Sequence, residues 1–240
     1  MLSTSIVTTA ELIGTERDTM FALYDFYYEG GDPSVFKRDL DGKDYVVVMR
    51  DPENTIRGFS TLAVYSETRN NAQVRVIYSG DTIIDKMYWG QNQFSRAWIS
   101  FAGGVKAQHP ELPLYWLLIV KGHRTYRYLS LFSNNYFPRH DRETPSDIQE
   151  LMHYLAKRRF GQAYDESSGL IRFSEPRSFL SPEIAQIPSK DCHRPEVKYF
   201  LQRNPQYYEG DELLCLCELK AENLTKLARS WFEQECMPRQ

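Results

Sequence analysis

The stretch over 74–138 constrains the fold most, because patterns for a strand, a turn, a helix, a second strand and a short aromatic helix follow one another there with few spare residues. AQVRVIYSGDTIID is β-branched and apolar on both faces, with Ser79-Gly80 interrupting it. A glycine inside a strand pattern marks a bulge or a close backbone approach. Tyr88-Trp89-Gly90-Gln91 then opens a helical pattern in which Phe94, Trp98, Phe101, Ala102 and Val105 recur at helical spacing, ending near Gly103-Gly104 or His109-Pro110. Leu114-Tyr115-Trp116-Leu117-Leu118-Ile119-Val120 is a continuous apolar run of strand length, stopped by Lys121-Gly122. Two such strands joined through a helix predict a parallel pair in a mixed α/β sheet, with a ligand crevice at the strand ends.

Upstream, the pattern predicts a short strand over 5–9 and a helix over 16–28 with Met20, Leu23, Tyr24 and Tyr27 on one stripe. A short helix over 33–40 follows, then a hairpin of strands over 44–49 and 56–65 and a polar loop over 67–71. Downstream come a helix over 146–160, a looser segment over 161–195 with a strand over 169–174, a helix over 195–203, a strand over 212–219 and a helix over 222–234. This order divides the chain into a core over 1–140 and a C-terminal extension over 141–240 that packs on it as one unit.

In 240 residues, a net charge of −3 with the basic residues scattered in small groups argues against a dedicated nucleic-acid binder, whose affinity comes largely from neutralised phosphates. Its longest apolar run is too short for a membrane span, and MLSTSIVTTAELIG has neither the basic start nor the apolar centre of a signal peptide. A cytoplasmic protein is expected. Among four cysteines, Cys215 and Cys217 read as buried thiols on opposite faces of a strand, and the adjacent Cys192-His193 lacks the spacing of a metal site.

Three pieces together resemble the acetyltransferase-like (GNAT) superfamily over residues 5–140: LYDFYYEG with FKRDLDGKDYVVVMRD and IRGFSTL, the bulge-prone VIYSGDTIID, and YWLLIVKGHRTYRYLSLFSNNYFP. The resemblance implies an α/β fold in which a splayed fourth strand and the fifth strand open a V-shaped slot for an acyl donor. Two departures stand out. Where the family has a glycine-rich turn that holds a pyrophosphate on backbone amides, this chain has Lys86-Met87-Tyr88-Trp89-Gly90-Gln91, with one glycine and two bulky aromatics. Where the family has a general-acid tyrosine, Phe132 stands. Both departures, and the length, resemble the subgroup of autoinducer synthases and long-chain N-acyl amino acid synthases, which draw on acyl carrier protein. The resemblance therefore implies an acyltransferase with no tightly bound cofactor, moving an acyl group from a thioester co-substrate (acyl carrier protein before CoA) to the primary amine of a small molecule. A non-catalytic binding protein of the same fold, and a CoA-dependent N-acetyltransferase with a divergent loop, are the alternatives.

On this reading Asp81 is the base that takes the amine's proton, and a backbone amide of Ser79 or Gly80, freed by the bulge, steadies the developing oxyanion. Asp85 reads as a helix-start carboxylate. His123 is the histidine nearest the strand ends, and Tyr126 or Tyr128 is the candidate for the acid missing at Phe132. Tyr78, Tyr88, Trp89 and Trp116 line the acyl path, with Lys86, Gly90 and Gln91 completing the donor turn. Lys121, Arg124 and Arg127 form a basic face for an acidic carrier protein, with Lys157, Arg158 and Arg159 as a second one, against the plainer account of solvated charges. The segment over 204–213 reads as a cap on the slot or a tight entry to the last strand.

Overall fold

Central strands that are apolar on both faces must be covered above and below, and the helices divide accordingly. The computed structural model describes residues 2–173 and 178–236. Its elements run β1 (Ser3–Thr8), α1 (Gly14–Tyr27), β2 (Tyr28–Glu29), α2 (Pro33–Asp41), β3 (Tyr45–Arg50), β4 (Ile56–Arg69), β5 (Ala72–Ile84), α3 (Gln93–Gln108), β6 (Leu114–Val120) and α4 (His123–Phe132). Then follow α5 (Ser146–Phe160), β7 (Tyr164–Asp165), β8 (Leu170–Ile171), β9 (Phe179–Leu180), α6 (Pro182–Ala185), α7 (Pro195–Arg203), β10 (Glu212–Glu218) and α8 (Lys226–Cys236). An eight-stranded sheet has the order β1-β3-β4-β5-β6-β10-β8-β7. Every neighbouring pair is antiparallel except β5 with β6, which run parallel from Arg75↔Leu114 to Ser79↔Leu118. This parallel pair in a mixed sheet is the one that the two apolar runs joined through a helix predict.

One face carries Val47, Leu62, Ile77 and Leu118 under α3, α4, α7 and α8, in a core that includes Ile99, Leu129, Phe200 and Phe232. On the other face α1 and α2 bury Val46, Val48 and Phe59, while α5 covers Ala63, Leu117 and Leu216. The division at residue 140 crosses this sheet: β10 lies between β6 and β8, so the C-terminal part supplies three of its strands.

Local chemistry sets the boundaries. The Asp32 carboxylate accepts hydrogen bonds from the amides of Ser34 (2.8 Å) and Val35 (3.0 Å), with Pro33 opening α2. β4 and β5 extend through most of the predicted polar loop and turn at Asn70-Asn71, whose φ angles of 50° and 63° are those of a type I′ hairpin. α3 starts at Gln93 rather than Tyr88, because Asp85 caps a separate 3-10 turn, Lys86–Tyr88, accepting from the Met87 amide at 3.1 Å. It then passes through Gly103-Gly104 to Gln108. A Cβ on Gly103 would stand 2.2 Å from the Phe232 carbonyl oxygen, so this glycine lets α8 pack directly on α3.

The last helix begins at Lys226 after a short turn at Ala221–Asn223. The strand predicted over 169–174 contracts to β8, and residue 174 lies outside the described residues. Cys215 and Cys217 are both buried, but on one face, as residues two apart in a strand must be, which corrects the expectation of opposite faces. Burial pushes the Cys217 thiol up to about 12. Among the described residues no group of three metal-capable side chains gathers, and no helix is long and apolar enough to cross a membrane.

Candidate active site

The interruption at Ser79-Gly80 is a bulge. Ser60 opposes Thr82 and Leu62 opposes Ser79, so Gly80 and Asp81 together stand against Thr61. A Cβ on Gly80 would lie 2.6 Å from Thr61 Oγ1 and 2.9 Å from Lys43 Cε, which only glycine avoids. At the same level the parallel pairing ends at Ser79↔Leu118; beyond it β5 pairs with β4 and β6 with β10, so the two strands part. Cavities on the two faces of the sheet meet at this opening, where Gly80, Thr82, Ile119 and Thr125 belong to the walls of both.

On the α3/α4 face the cavity is an apolar slot walled by Phe94 and Trp98 of α3, Trp116 and Leu118 of β6, and Tyr128 and Phe132 of α4. The Trp116 indole donates to the buried Ser79 hydroxyl at 2.7 Å and lies 4.5 Å from the Trp98 ring. The Tyr128 and Phe132 rings stack at 5.7 Å, and burial holds the Tyr128 phenol above its ordinary range. Phe94 and Ser95 belong to the first turn of α3, so the positive end of that helix stands at the slot wall.

On the opposite face the cavity is a cleft with charged groups. Tyr24 and Tyr28, stacked at 4.7 Å, form one side, and Asp39, Tyr78, Asp81, Lys121 and Glu212 line the rest. Lys43, its side chain 1% exposed, sits behind the wall and pairs with the Asp39 carboxylate at 2.5 Å. Lys121 lies 3.5 Å from the Glu212 carboxylate and donates to the Ser178 carbonyl at 3.0 Å. Asp81 stands among these two pairs. Burial pushes its carboxyl up to about 6, with the negative charges of Asp39 and Glu212 adding to the rise and Lys43 and Lys121 opposing it. A carboxyl that changes charge near neutral pH is suited to accepting a proton. Next to it the buried Thr61 hydroxyl has no partner among the described residues.

The structure thus gathers Asp81, Ser79, Gly80, Tyr78, Trp116 and Lys121 around the opening, but divides them by face: Tyr78 and Lys121 line the cleft, Trp116 and Ser79 the slot. Tyr78 therefore lines the cleft and not the apolar slot, and its ring carries the Arg159 guanidinium at 3.8 Å. His123 is corrected as a catalytic candidate: it is 1% exposed, lines neither cavity, and burial with Arg124 beside it pulls its imidazole down to about 4. Tyr126 is also corrected, being fully buried with its hydroxyl donating to the Pro138 carbonyl at 2.8 Å.

The donor turn lines neither cavity. Lys86 pairs with Glu183, Trp89 donates to the Ile84 carbonyl at 2.8 Å, Gly90 takes a left-handed φ of 83°, and Tyr88 and Gln91 complete the turn before α3. The basic face is largely used internally. Arg124 donates to the Ile184 carbonyl and lies over the Trp89 ring, Arg127 pairs with Asp191 at 3.1 Å, and Lys157 and Arg158 pair with Glu166 and Glu67. Asp39, Lys43, Glu212 and Trp98 were missing from the sequence-based site. The i, i+4 spacing of Asp39 and Lys43 was legible as an ion pair, whereas the approach of Glu212 was not.

No family model and no curated protein matches the chain. Among solved structures, an Enterococcus faecalis V583 protein described as a probable N-acyltransferase is similar at 12% identity and a TM-score of 0.42, over 58% of this chain and 37% of its own. The Escherichia coli GNAT family N-acetyltransferase YhbS, in complex with CoA, is similar at 16% identity and a TM-score of 0.38, over 55% of this chain and 69% of its own. A Trypanosoma brucei acetyltransferase is similar at 15% identity and a TM-score of 0.39, over 60% of this chain and 98% of its own.

Proposed function

We propose that the chain is an N-acyltransferase that moves an acyl group from a thioester in the slot to a primary amine in the cleft, with Asp81 as general base. The observation that carries this reading is the meeting of an apolar cavity and a charged cavity through the sheet, at a bulge that bears Asp81. The amine nitrogen attacks the thioester carbon, forming the C–N bond, and passes a proton to the Asp81 carboxylate. A backbone amide released by the bulge at Ser79 or Gly80 receives the negative charge that builds on the carbonyl oxygen. The C–S bond then breaks and the leaving thiolate takes a proton from Tyr128, which replaces both the phenylalanine at Phe132 and the buried Tyr126 as the acid.

The donor's carrier is the finer question. The internal pairing of Arg124 and Arg127 weakens the case for a carrier-protein docking face, while the positive end of α3 suits a phosphate on either carrier. Thiol release should be followed with matched acyl-CoA and acyl carrier protein against a panel of amines, with the acylated product weighed by mass spectrometry. Acylated amine formed from either donor supports the reading. A thioester that binds but is never turned over with any amine returns the chain to the class of non-catalytic binding proteins.

A further inference from the structure

The acyltransferase reading leaves the length of the acyl group open, and the closed end of the slot bears on it. β5 and β6 part only beyond Ser79 and Leu118, so the V is shut behind that pair. Trp116 lies on the shut side, two residues behind Leu118 and on the same face of β6. Its ring packs 4.5 Å from that of Trp98 at an interplanar angle of 44°, and both side chains are 6% exposed. The hydrogen bond from Trp116 Nε1 to the Ser79 hydroxyl fixes the indole in this position, since turning it away would leave two buried polar groups unpaired.

A thioester carbonyl within reach of Asp81 must lie at the crossing formed by Gly80, Thr82, Ile119 and Thr125. From there an acyl tail has two directions. Toward the apex it meets the two indoles; through the sheet it enters the cleft and competes with the amine for the space between Tyr24, Tyr28 and Asp81. Added methylenes therefore have to displace packed rings or displace the acceptor, and both are unfavourable.

We propose that Trp98 and Trp116 form the end wall of the donor slot and restrict this protein to short acyl groups, from acetyl to about butyryl in size. Trp98 is the specificity-determining residue that can be changed with least disturbance, because the polar contact to Ser79 belongs to Trp116. The inference rests on the acyltransferase reading, so its test measures binding and needs no turnover.

S-acyl-pantetheines from acetyl to decanoyl, with free pantetheine as the reference, should be titrated against the protein by intrinsic tryptophan fluorescence. The wild-type affinity is expected to peak at a short chain and to fall by about tenfold or more at decanoyl, the scale on which a filled apolar pocket rejects extra methylenes. Trp98→Ala should move the peak to longer chains. Trp98→Phe, which keeps an aromatic ring in the core, should move it in the same direction by less, and it carries the test if the alanine variant does not fold. Wild-type affinity that keeps rising through decanoyl, or a peak unmoved in Trp98→Phe, overturns the end wall and leaves the acyltransferase reading standing. Failure of every pantetheine thioester to bind overturns both.

Discussion

At the scale of single residues, the site reads as a balance of charges around one carboxyl. Ionising Asp81 is unfavourable in the folded chain, since its value of about 6 lies above the ordinary 3.8. The folded state therefore binds a proton more tightly than the unfolded state, and this contribution to stability is full below about pH 4 and lost as pH rises through about 6. Asp81→Asn should accordingly raise the melting temperature above pH 6, with the gain shrinking toward zero near pH 4 in a pH series of thermal scans. Lys43 opposes the rise at Asp81, so Lys43→Met should move the acid limb of kcat/KM to higher pH. The two tyrosines of α4 should separate cleanly. Tyr128→Phe should slow thiol release by about a hundredfold with alkyl thioesters, the usual scale for a positioned acid, and much less with aryl thioesters, whose thiolates leave without a proton. Tyr126→Phe should cost about 1 kcal/mol of stability, the worth of its bond to Pro138, and leave turnover alone. The bulge at Gly80 was legible because a glycine breaks a β-branched run. The fates of His123, Arg124 and Arg127 were not, since their surroundings include Asp191 and the Ile184 carbonyl, from a segment some sixty residues away.

At the scale of elements, boundaries were legible where a local signal ends a pattern. β6 and α7 fall on the predicted residues because Lys121-Gly122 stops an apolar run and Pro195 opens a helix. The start of α3 was not, because the apolar periodicity continues backward across a turn that Asp85 caps. Its passage through Gly103-Gly104 has a tertiary cause: the backbone of α8 occupies the space a side chain would need. Gly103→Ala should therefore destabilise the chain by about 1–3 kcal/mol in denaturant unfolding, as overpacking does, despite alanine's better helix propensity. Gly104→Ala has open space around it and should instead be neutral or stabilising. Equal effects at the two positions would contradict the close approach of α3 and α8.

At the scale of the whole molecule, the sheet joins what the chain order separates. Strands read from 1–140 form its first five members, yet β10 from the far end of the chain covers the edge of β6 and brings Glu212 to the cleft. A fragment over 1–140 would expose that apolar edge and remove α8 from α3, and it should fail to fold cooperatively on its own, checked by circular dichroism and light scattering. The parallel pair, and hence the crevice, was legible from two apolar runs around one helix. That the crevice opens on both faces, with an apolar slot behind and a charged cleft in front, depends on which side each helix covers, and neighbouring residues do not encode it.

The pH dependence of kcat/KM for acyl transfer to an amine, in the wild type and in Asp81→Asn, is the most direct test of a carboxyl that takes the amine's proton at the bulge. The wild type should lose activity below about pH 6, where Asp81 becomes protonated. Asp81→Asn should be slower by about a hundredfold at neutral pH, lack that limb, and recover part of the rate in alkali as the amine loses its proton unaided. A variant with wild-type rate and an unchanged acid limb would contradict the account.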